Sequence, residues 1–258
     1  MNFQNTPYFD YKLFSGSLNN IFEQGQLVIN TINQYSFCIA EEDVNFKRAL
    51  VESDILLPDG IAVVWSNLIL NRSKIKKIAG ADIHDYLLEN LNKKHGKCFY
   101  LGASVSTLDK IRNKINSEYP NISFESYSPP YKSEFSDEES EEMINQVNSF
   151  KPDVLFVGMT APKQEKWVNK HKHLLDSTII CSIGAVFDFY AGTIQRPGKI
   201  WIMLGMEWFG RFVREPRRMW KRYFFYGPIF LIKTMFEKQN KKGLGDITCF
   251  KDNEQFVH

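Results

Sequence analysis

Val154-Leu-Phe-Val157 and Thr178-Ile-Ile-Cys-Ser-Ile183 are two short apolar runs, separated by a charged stretch from about Pro162 to Leu175. Runs of this length without polar alternation read as strands buried on both faces, and the stretch between them has the length and pattern of a helix. Strand, helix and strand in that order imply parallel pairing through a right-handed crossover. The same alternation extends outward in both directions. Gln26 to Asn30 reads as a strand running into Thr31-Ile-Asn33, and Ser36 to Ser53 as one helix. Asp54 to Leu57 is a short strand stopped by Pro58-Asp59-Gly60, followed by a helix from Ile61 to about Leu70. After a basic loop, Arg72 to Lys77, Ala79-Gly-Ala-Asp82 opens a helix that runs through Leu91. Lys97 to Leu101 is a strand leading into Gly102-Ala-Ser104 and a further helix. Ile122 to Ser126 is another strand, and Ser136 opens a charged helix.

The expected fold class is therefore α/β, a Rossmann-like, mostly parallel sheet flanked by helices. In open sheets of this kind ligands bind outside the carboxyl ends of the strands. Segments 30–33, 58–60, 102–104, 158–164 and 184–188 all fall at such ends, so they share one edge. Residues 1–195 are expected to form this domain, 196–242 a basic, aromatic helical appendage, and 243–258 a flexible polar tail.

The composition is that of a globular chain: 258 residues, 43% apolar and 24% charged. The net charge of +2 excludes nothing about partners, but its distribution is uneven. Between Arg196 and Lys242 there are 12 Lys/Arg against 3 Asp/Glu, so the rest of the chain is net negative. Cys38, Cys98, Cys181 and Cys249 are widely spaced, with no C-x-x-C, and read as reduced thiols of a cytosolic compartment. No apolar leader is visible, and the run from Tyr223 to Phe236 is too short and too interrupted to span a bilayer.

Several edge residues could carry chemistry, each with an ordinary alternative. Asp59 could act as a base, although Asp in a Pro-x-Gly turn is common because it bonds nearby amides. Thr31 and Asn33, two apart, would point the same way from an extended strand, or could cap the next helix. Gln164 lies in the first turn of a helix whose start suits a phosphate or a nucleotide; the alternative is a surface Gln behind a Pro-initiated turn. Gly102 and Gly184 lie where a backbone could approach a ligand. The chain lacks G-x-G-x-x-G and the Lys-containing phosphate loop, which argues against a dinucleotide dehydrogenase or an ATPase. It has no D-x-D and no histidine spacing suited to a metal; His171 and His173 fall on a charged helix and read as solvated.

Taken in order, Thr31-Ile-Asn33, Leu57-Pro-Asp-Gly60, Ala79-Gly-Ala-Asp82, Leu101-Gly-Ala103, Ala161-Pro-Lys-Gln-Glu-Lys-Trp167, Phe187-Asp-Phe-Tyr-Ala-Gly192 and Gly205-Met-Glu-Trp208…Glu215-Pro-Arg-Arg218 resemble the WecG/TagA/CpsF glycosyltransferases, family 26. The resemblance runs from about Gln26 to Tyr226. It implies inverting, metal-independent transfer of a hexose or N-acetylhexosamine, N-acetylmannosamine in the first instance. The implied donor is a UDP-sugar and the acceptor an undecaprenyl-diphosphate-linked sugar, as in teichoic acid, capsule and other surface polysaccharide synthesis, with no cofactor. It also implies that Asp59 is the base and that Thr31, Asn33 and Gln164 line the sugar pocket. The family usually carries Arg two residues before its Ala-Gly-Ala-Asp block; here Lys77 stands there, which keeps the charge on the leaving diphosphate but loses the bidentate fork.

From Trp201 to Phe236 aromatics interleave with cations. Such segments can lie on anionic membranes or bind nucleic acid, and they can also be buried aromatics under a solvated basic face. The resemblance implies the first: an appendage that docks the enzyme peripherally on the inner face of the cell membrane. Arg211, Arg214, Arg217 and Arg218 would then face lipid phosphates or the acceptor diphosphate. Nucleic acid is not an expected partner, because the polar groups gather at strand ends rather than beside the basic patch. A nucleic-acid-binding α/β protein and a non-catalytic relative are the competing readings, and homo-oligomerisation is left open.

Overall fold

The computed structural model describes residues 3–19, 21–23, 25–193, 212–213 and 216–253, and their side chains except at 218 and 241–253. The chain opens with an antiparallel hairpin, β1 (Asn5–Tyr8) and β2 (Tyr11–Phe14), which the sequence reading did not anticipate. Six strands follow: β3 (Leu27–Ile32), β4 (Ile55–Pro58), β5 (Lys97–Gly102), β6 (Ser123–Tyr127), β7 (Val154–Gly158) and β8 (Ile179–Ser182). They form one sheet in the order β4-β3-β8-β7-β5-β6, every pairing parallel. This is the α/β fold expected from the alternating apolar runs.

The strands alternate between two cores, as their period of two requires. On one face Leu27, Ile29, Ile55, Leu57, Cys98, Tyr100, Val154, Phe156, Ile179 and Cys181 pack on α4 (Gly80–Lys94), α5 (Val105–Glu118) and α8 (Val186–Tyr190). On the other, Val28, Phe99, Leu101, Leu155, Val157 and Ile180 pack on α6 (Asp137–Phe150) and α7 (Lys163–His171). Ile32 and Leu56 continue that second face toward α1 (Gln34–Ala40), α2 (Val44–Val51) and α3 (Ile61–Asn71). The chain thus leaves β3 and β7 toward one face and β5 and β8 toward the other. Neighbouring strands part company at their carboxyl ends, which opens crevices along that edge.

The single helix expected over 36–53 is two helices. Asp43 stops the first and caps the second, its Oδ1 accepting from the amides of Asn45 and Phe46 at 3.0 Å each. His171, read from the sequence as solvated, is buried against Trp167 with ring centroids 5.2 Å apart. Burial lowers its pKa. His173 is exposed as expected. Cys38, Cys98 and Cys181 are buried free thiols.

At the C-terminal end, α9 (Pro216–Trp220) passes through a π-helical turn, Lys221–Phe225, into α10 (Tyr226–Asn253). Tyr226 and Phe230 join the core formed with α1 and α3. Thr234 shares a hydrogen bond of 2.9 Å with Ser66, which also accepts one from Tyr8 at 3.1 Å. Hairpin, α3 and α10 are thereby tied through one buried polar contact. Among the described residues no helix is long and apolar enough to cross a membrane.

Candidate active site

Register brings the first group of expected site residues together. Thr31 pairs with Leu57 and Ile32 with Pro58, so the ends of β3 and β4 lie side by side. The Asp59 amide donates to the Ile32 carbonyl at 2.9 Å, extending that ladder by one bond and leaving the half-buried side chain at the rim. Gly60 follows with φ 117°, a value only glycine adopts at ease. A Cβ there would lie 3.6 Å from Gln34 Oε1 and 3.8 Å from Asn33 Cβ, which places Asn33 beside the Asp59 turn. The Ile78 amide donates to the Pro58 carbonyl at 3.0 Å, so Lys77 is carried to the same strand end. Asp82 then caps α4 by accepting from the Ala79 amide at 2.9 Å, which gives the Ala-Gly-Ala-Asp block its local reason.

Asn33 also does what its ordinary reading expects. It is the N-cap of α1, its Oδ1 accepting from the Tyr35 and Ser36 amides at 3.0 Å each, while the Asn33 amide donates to Ser36 Oγ at 2.8 Å. Its acceptor is therefore committed to the helix, and only Nδ2 is left to face a ligand.

A second group gathers on β5, β7 and β8. Gly102 pairs with Gly158, and a Cβ on Gly102 would come within 2.4 Å of the Gly158 carbonyl oxygen. A Cβ on Gly158 would meet the Phe187 ring at 2.7 Å. Just beyond these glycines Ala103 and Thr160 have φ of 58° and 71°. Positive φ is costly for any residue with a Cβ, and most for a β-branched one; strain of this kind clusters where a site needs a particular backbone. These two strand ends thus form a floor of closely packed backbone, Gly102 on the Gly158 carbonyl and Gly158 on the Phe187 ring, with strained residues just after it.

Gln164 borders this floor and is not the surface residue of its ordinary reading; it is buried. Its Oε1 accepts from the Met159 amide at 3.3 Å, and its Nε2 donates to Glu165 Oε1 at 2.8 Å. Gly184, at φ 48°, lies against the same carboxamide, where a Cβ would crowd it at 3.3 Å from Oε1. Glu165 is buried too, and burial pushes its carboxyl up to about 7. The two groups are linked: a Cβ on Gly80, just past Lys77, would lie 3.7 Å from the side chain of Ile183, the residue before Gly184.

The profile of the glycosyl transferase WecG/TagA/CpsF family matches residues 8–243. The chain belongs to that family. The N-acetylglucosaminyldiphosphoundecaprenol N-acetyl-beta-D-mannosaminyltransferase of Bacillus subtilis (strain 168) is 33% identical over 215 residues, 83% of this chain and 81% of its own. A protein of the same name from Staphylococcus aureus (strain MW2) is 28% identical over 226 residues, 88% and 84% of the two chains. A third, from Bacillus spizizenii, is 27% identical over 183 residues, 71% and 69%. The protein is thus a glycosyltransferase, as the ordered blocks of its sequence implied.

Of the C-terminal arginines of this glycosyltransferase, Arg211, Arg214 and the Arg218 side chain lie outside the described residues, and Arg217 is exposed on α9. Arg222 is the cation that reaches the first rim: its guanidinium lies 4.5 Å from the centroid of Tyr35, two residues beyond Asn33. Sequence reasoning placed it in the basic patch without singling it out. Glu165 was also missed, although it stands inside the quoted Ala161–Trp167 block. The outer side of this region is apolar: Trp220 and Phe224 stack at 4.6 Å, and Phe225, Leu231, Ile232, Met235 and Phe236 are exposed. On α10 they lie opposite the buried Tyr226, Phe230 and Thr234. Among the described residues no three His, Cys, Asp or Glu are grouped to hold a metal ion.

Proposed function

We propose that this glycosyltransferase moves N-acetylmannosamine from its UDP derivative to N-acetylglucosamine carried on undecaprenyl diphosphate, with inversion at the anomeric carbon and without a metal. The acceptor and the transferred sugar are those in the relatives' names. The observation that carries the reading is the meeting of the Asp59 turn with Thr31, Asn33 and Lys77 at one strand edge, beside the glycine floor of β5 and β7.

In this arrangement the UDP moiety lies over Gly102, Gly158 and Gly184, where no side chain holds it off. The start of α7 supplies partial positive charge to a phosphate. Asp59 accepts the proton of the acceptor hydroxyl as its oxygen attacks the anomeric carbon. The bond from that carbon to the diphosphate breaks, and its electron pair leaves with UDP. Lys77 meets the charge that develops there, as a point charge rather than a fork. Thr31, Asn33 and Gln164 bind the sugar, and Arg211, Arg214, Arg217 and Arg218 meet phosphates of the acceptor or of the lipid surface.

A lipid-borne acceptor has to be met at a membrane. The exposed apolar side of α10 and the π-helical turn, with the basic residues around it, is read as the surface that lies on the cytoplasmic leaflet; aromatic and cationic side chains together suit an anionic interface. The test is transfer from a panel of UDP-sugars to a short-chain diphospholipid N-acetylglucosamine, with EDTA present, alongside sedimentation with anionic vesicles. The reading expects UDP-N-acetylmannosamine to be preferred, EDTA to be without effect, and Leu231→Gln/Ile232→Gln/Phe236→Gln to release the protein from the vesicles. Preference for another donor class, loss of activity in EDTA, or unchanged sedimentation would each overturn the corresponding part.

A further inference from the structure

Glu165 is fully buried, yet it belongs to no ion pair, and its Oε2 has no hydrogen-bond partner among the described residues. A buried carboxyl without a cation is expensive and seldom kept for packing alone. Its Oε1 has one partner, the Nε2 of Gln164 at 2.8 Å. Two more buried polar atoms without a partner among the described residues lie on the sheet face that packs on α7. Asn30 and Ser182 point to the same face of the sheet as Val28 and Ile180, and each ends in a buried polar atom without a partner, Oδ1 and Oγ.

The sense of the Gln164 carboxamide is fixed from both ends. The Met159 amide can only donate, so the atom facing it must be the oxygen; the Glu165 oxygen then receives an N–H. One Nε2 hydrogen is used in this way and the second remains for another acceptor. The carboxamide stands against Gly184, where a Cβ would crowd it at 3.3 Å from Oε1 and 3.4 Å from Nε2, so the absence of a side chain at 184 leaves it its place at the strand end.

We propose that Glu165 is a positioning residue, which holds the Gln164 carboxamide in one orientation so that its second Nε2 hydrogen is presented across Gly184 to an oxygen of the bound sugar nucleotide. This rests on Gln164 being a substrate-binding residue, as read above. Glu165 does not touch the substrate; it acts through Gln164. What it must supply is an acceptor oxygen at a fixed place, not a charge. Burial, which favours the neutral acid, is compatible with that role.

The test compares wild type, Gln164→Ala, Glu165→Met, Glu165→Gln and the Gln164→Ala/Glu165→Met double variant. Donor KM and kcat are measured with UDP-N-acetylmannosamine, UDP affinity by calorimetry, and folding by thermal melting. Loss of one oriented hydrogen bond is expected to raise donor KM about tenfold in Gln164→Ala and by a similar factor in Glu165→Met, with kcat changed less. Glu165→Gln, which keeps an acceptor of the same shape, stays within about threefold of wild type. The double variant is no worse than Gln164→Ala, because the two residues act in series. Multiplying effects in the double variant, or a raised KM in Gln164→Ala with a normal one in Glu165→Met, overturns the proposal. Should Glu165→Met not fold, a tenfold loss in the folded Glu165→Gln overturns it equally, and near-wild-type kinetics there support it. If Gln164→Ala itself leaves KM and UDP affinity unchanged, the reading of Gln164 falls and takes the proposal with it, a result distinct from the others.

Discussion

Asp59 and Gly102 both follow directly on a strand of the same sheet, yet their surroundings differ in kind. At the β3–β4 end the rim carries side chains: Asp59 is half-buried, and the backbone brings Thr31, Asn33 and Lys77 to the same strand end. At the β5–β7–β8 end it is made of backbone. Glycines meet there at distances that exclude a Cβ, strained residues follow them, and the polar groups are sunk beneath the surface. The first rim offers side chains; the second fixes a shape and has no room for added atoms at Gly102 and Gly158. On the function proposed above, proton transfer falls to the side-chain rim and the nucleotide to the backbone rim.

The division can be broken by substitution. The largest effect on stability is expected from Gly102→Ala. Its Cβ would strike the Gly158 carbonyl at 2.4 Å from a backbone at φ 121°. Strain and overpacking together should cost about 3 kcal/mol or more, read as a lowered denaturation midpoint. An unchanged midpoint would mean that the backbone floor is not rigid.

A slightly smaller effect belongs to Glu165. Its carboxyl is raised from 4.5 to about 7 in the folded chain, so between those values the native state holds a proton that the unfolded state has released. Stability is therefore fully present below the lower value and falls as pH rises toward 7, by up to about 3 kcal/mol at one pKa unit per 1.36 kcal/mol. Glu165→Gln should remove most of this slope. Urea midpoints between pH 5 and 8 measure it, and equal slopes in the two proteins would contradict the burial of an unpaired acid.

How much of this was legible in the sequence follows the same division. The sheet could be read because its strands are uninterrupted apolar runs, and Pro58-Asp59-Gly60 because a breaker after such a run marks a strand end. The two-helix break at Asp43 was hidden, since a capping Asp inside a charged, helix-compatible stretch looks like a surface residue. The N-terminal hairpin was hidden because strands of four residues carry too little alternation to stand out. Gln164 stood out by its place in the first turn after a strand–glycine break, with a surface position as the alternative, and Glu165 not at all. In Lys163-Gln-Glu-Lys166 nothing local tells which polar side chain faces the sheet; tertiary packing decides that. Asn33 shows a further limit: both of its readings, cap and site residue, are compatible with one geometry, because its oxygen serves the helix and its nitrogen is left over.

The most direct test of the account is Asp59→Asn, which keeps the shape of the turn and removes the base. A fall in kcat for sugar transfer of about 10²–10⁴-fold is expected, the usual worth of a positioned general base. UDP affinity and the denaturation midpoint should stay at wild-type values. Transfer within a few-fold of wild type in the folded, UDP-binding variant would contradict the assignment of chemistry to the β3–β4 rim.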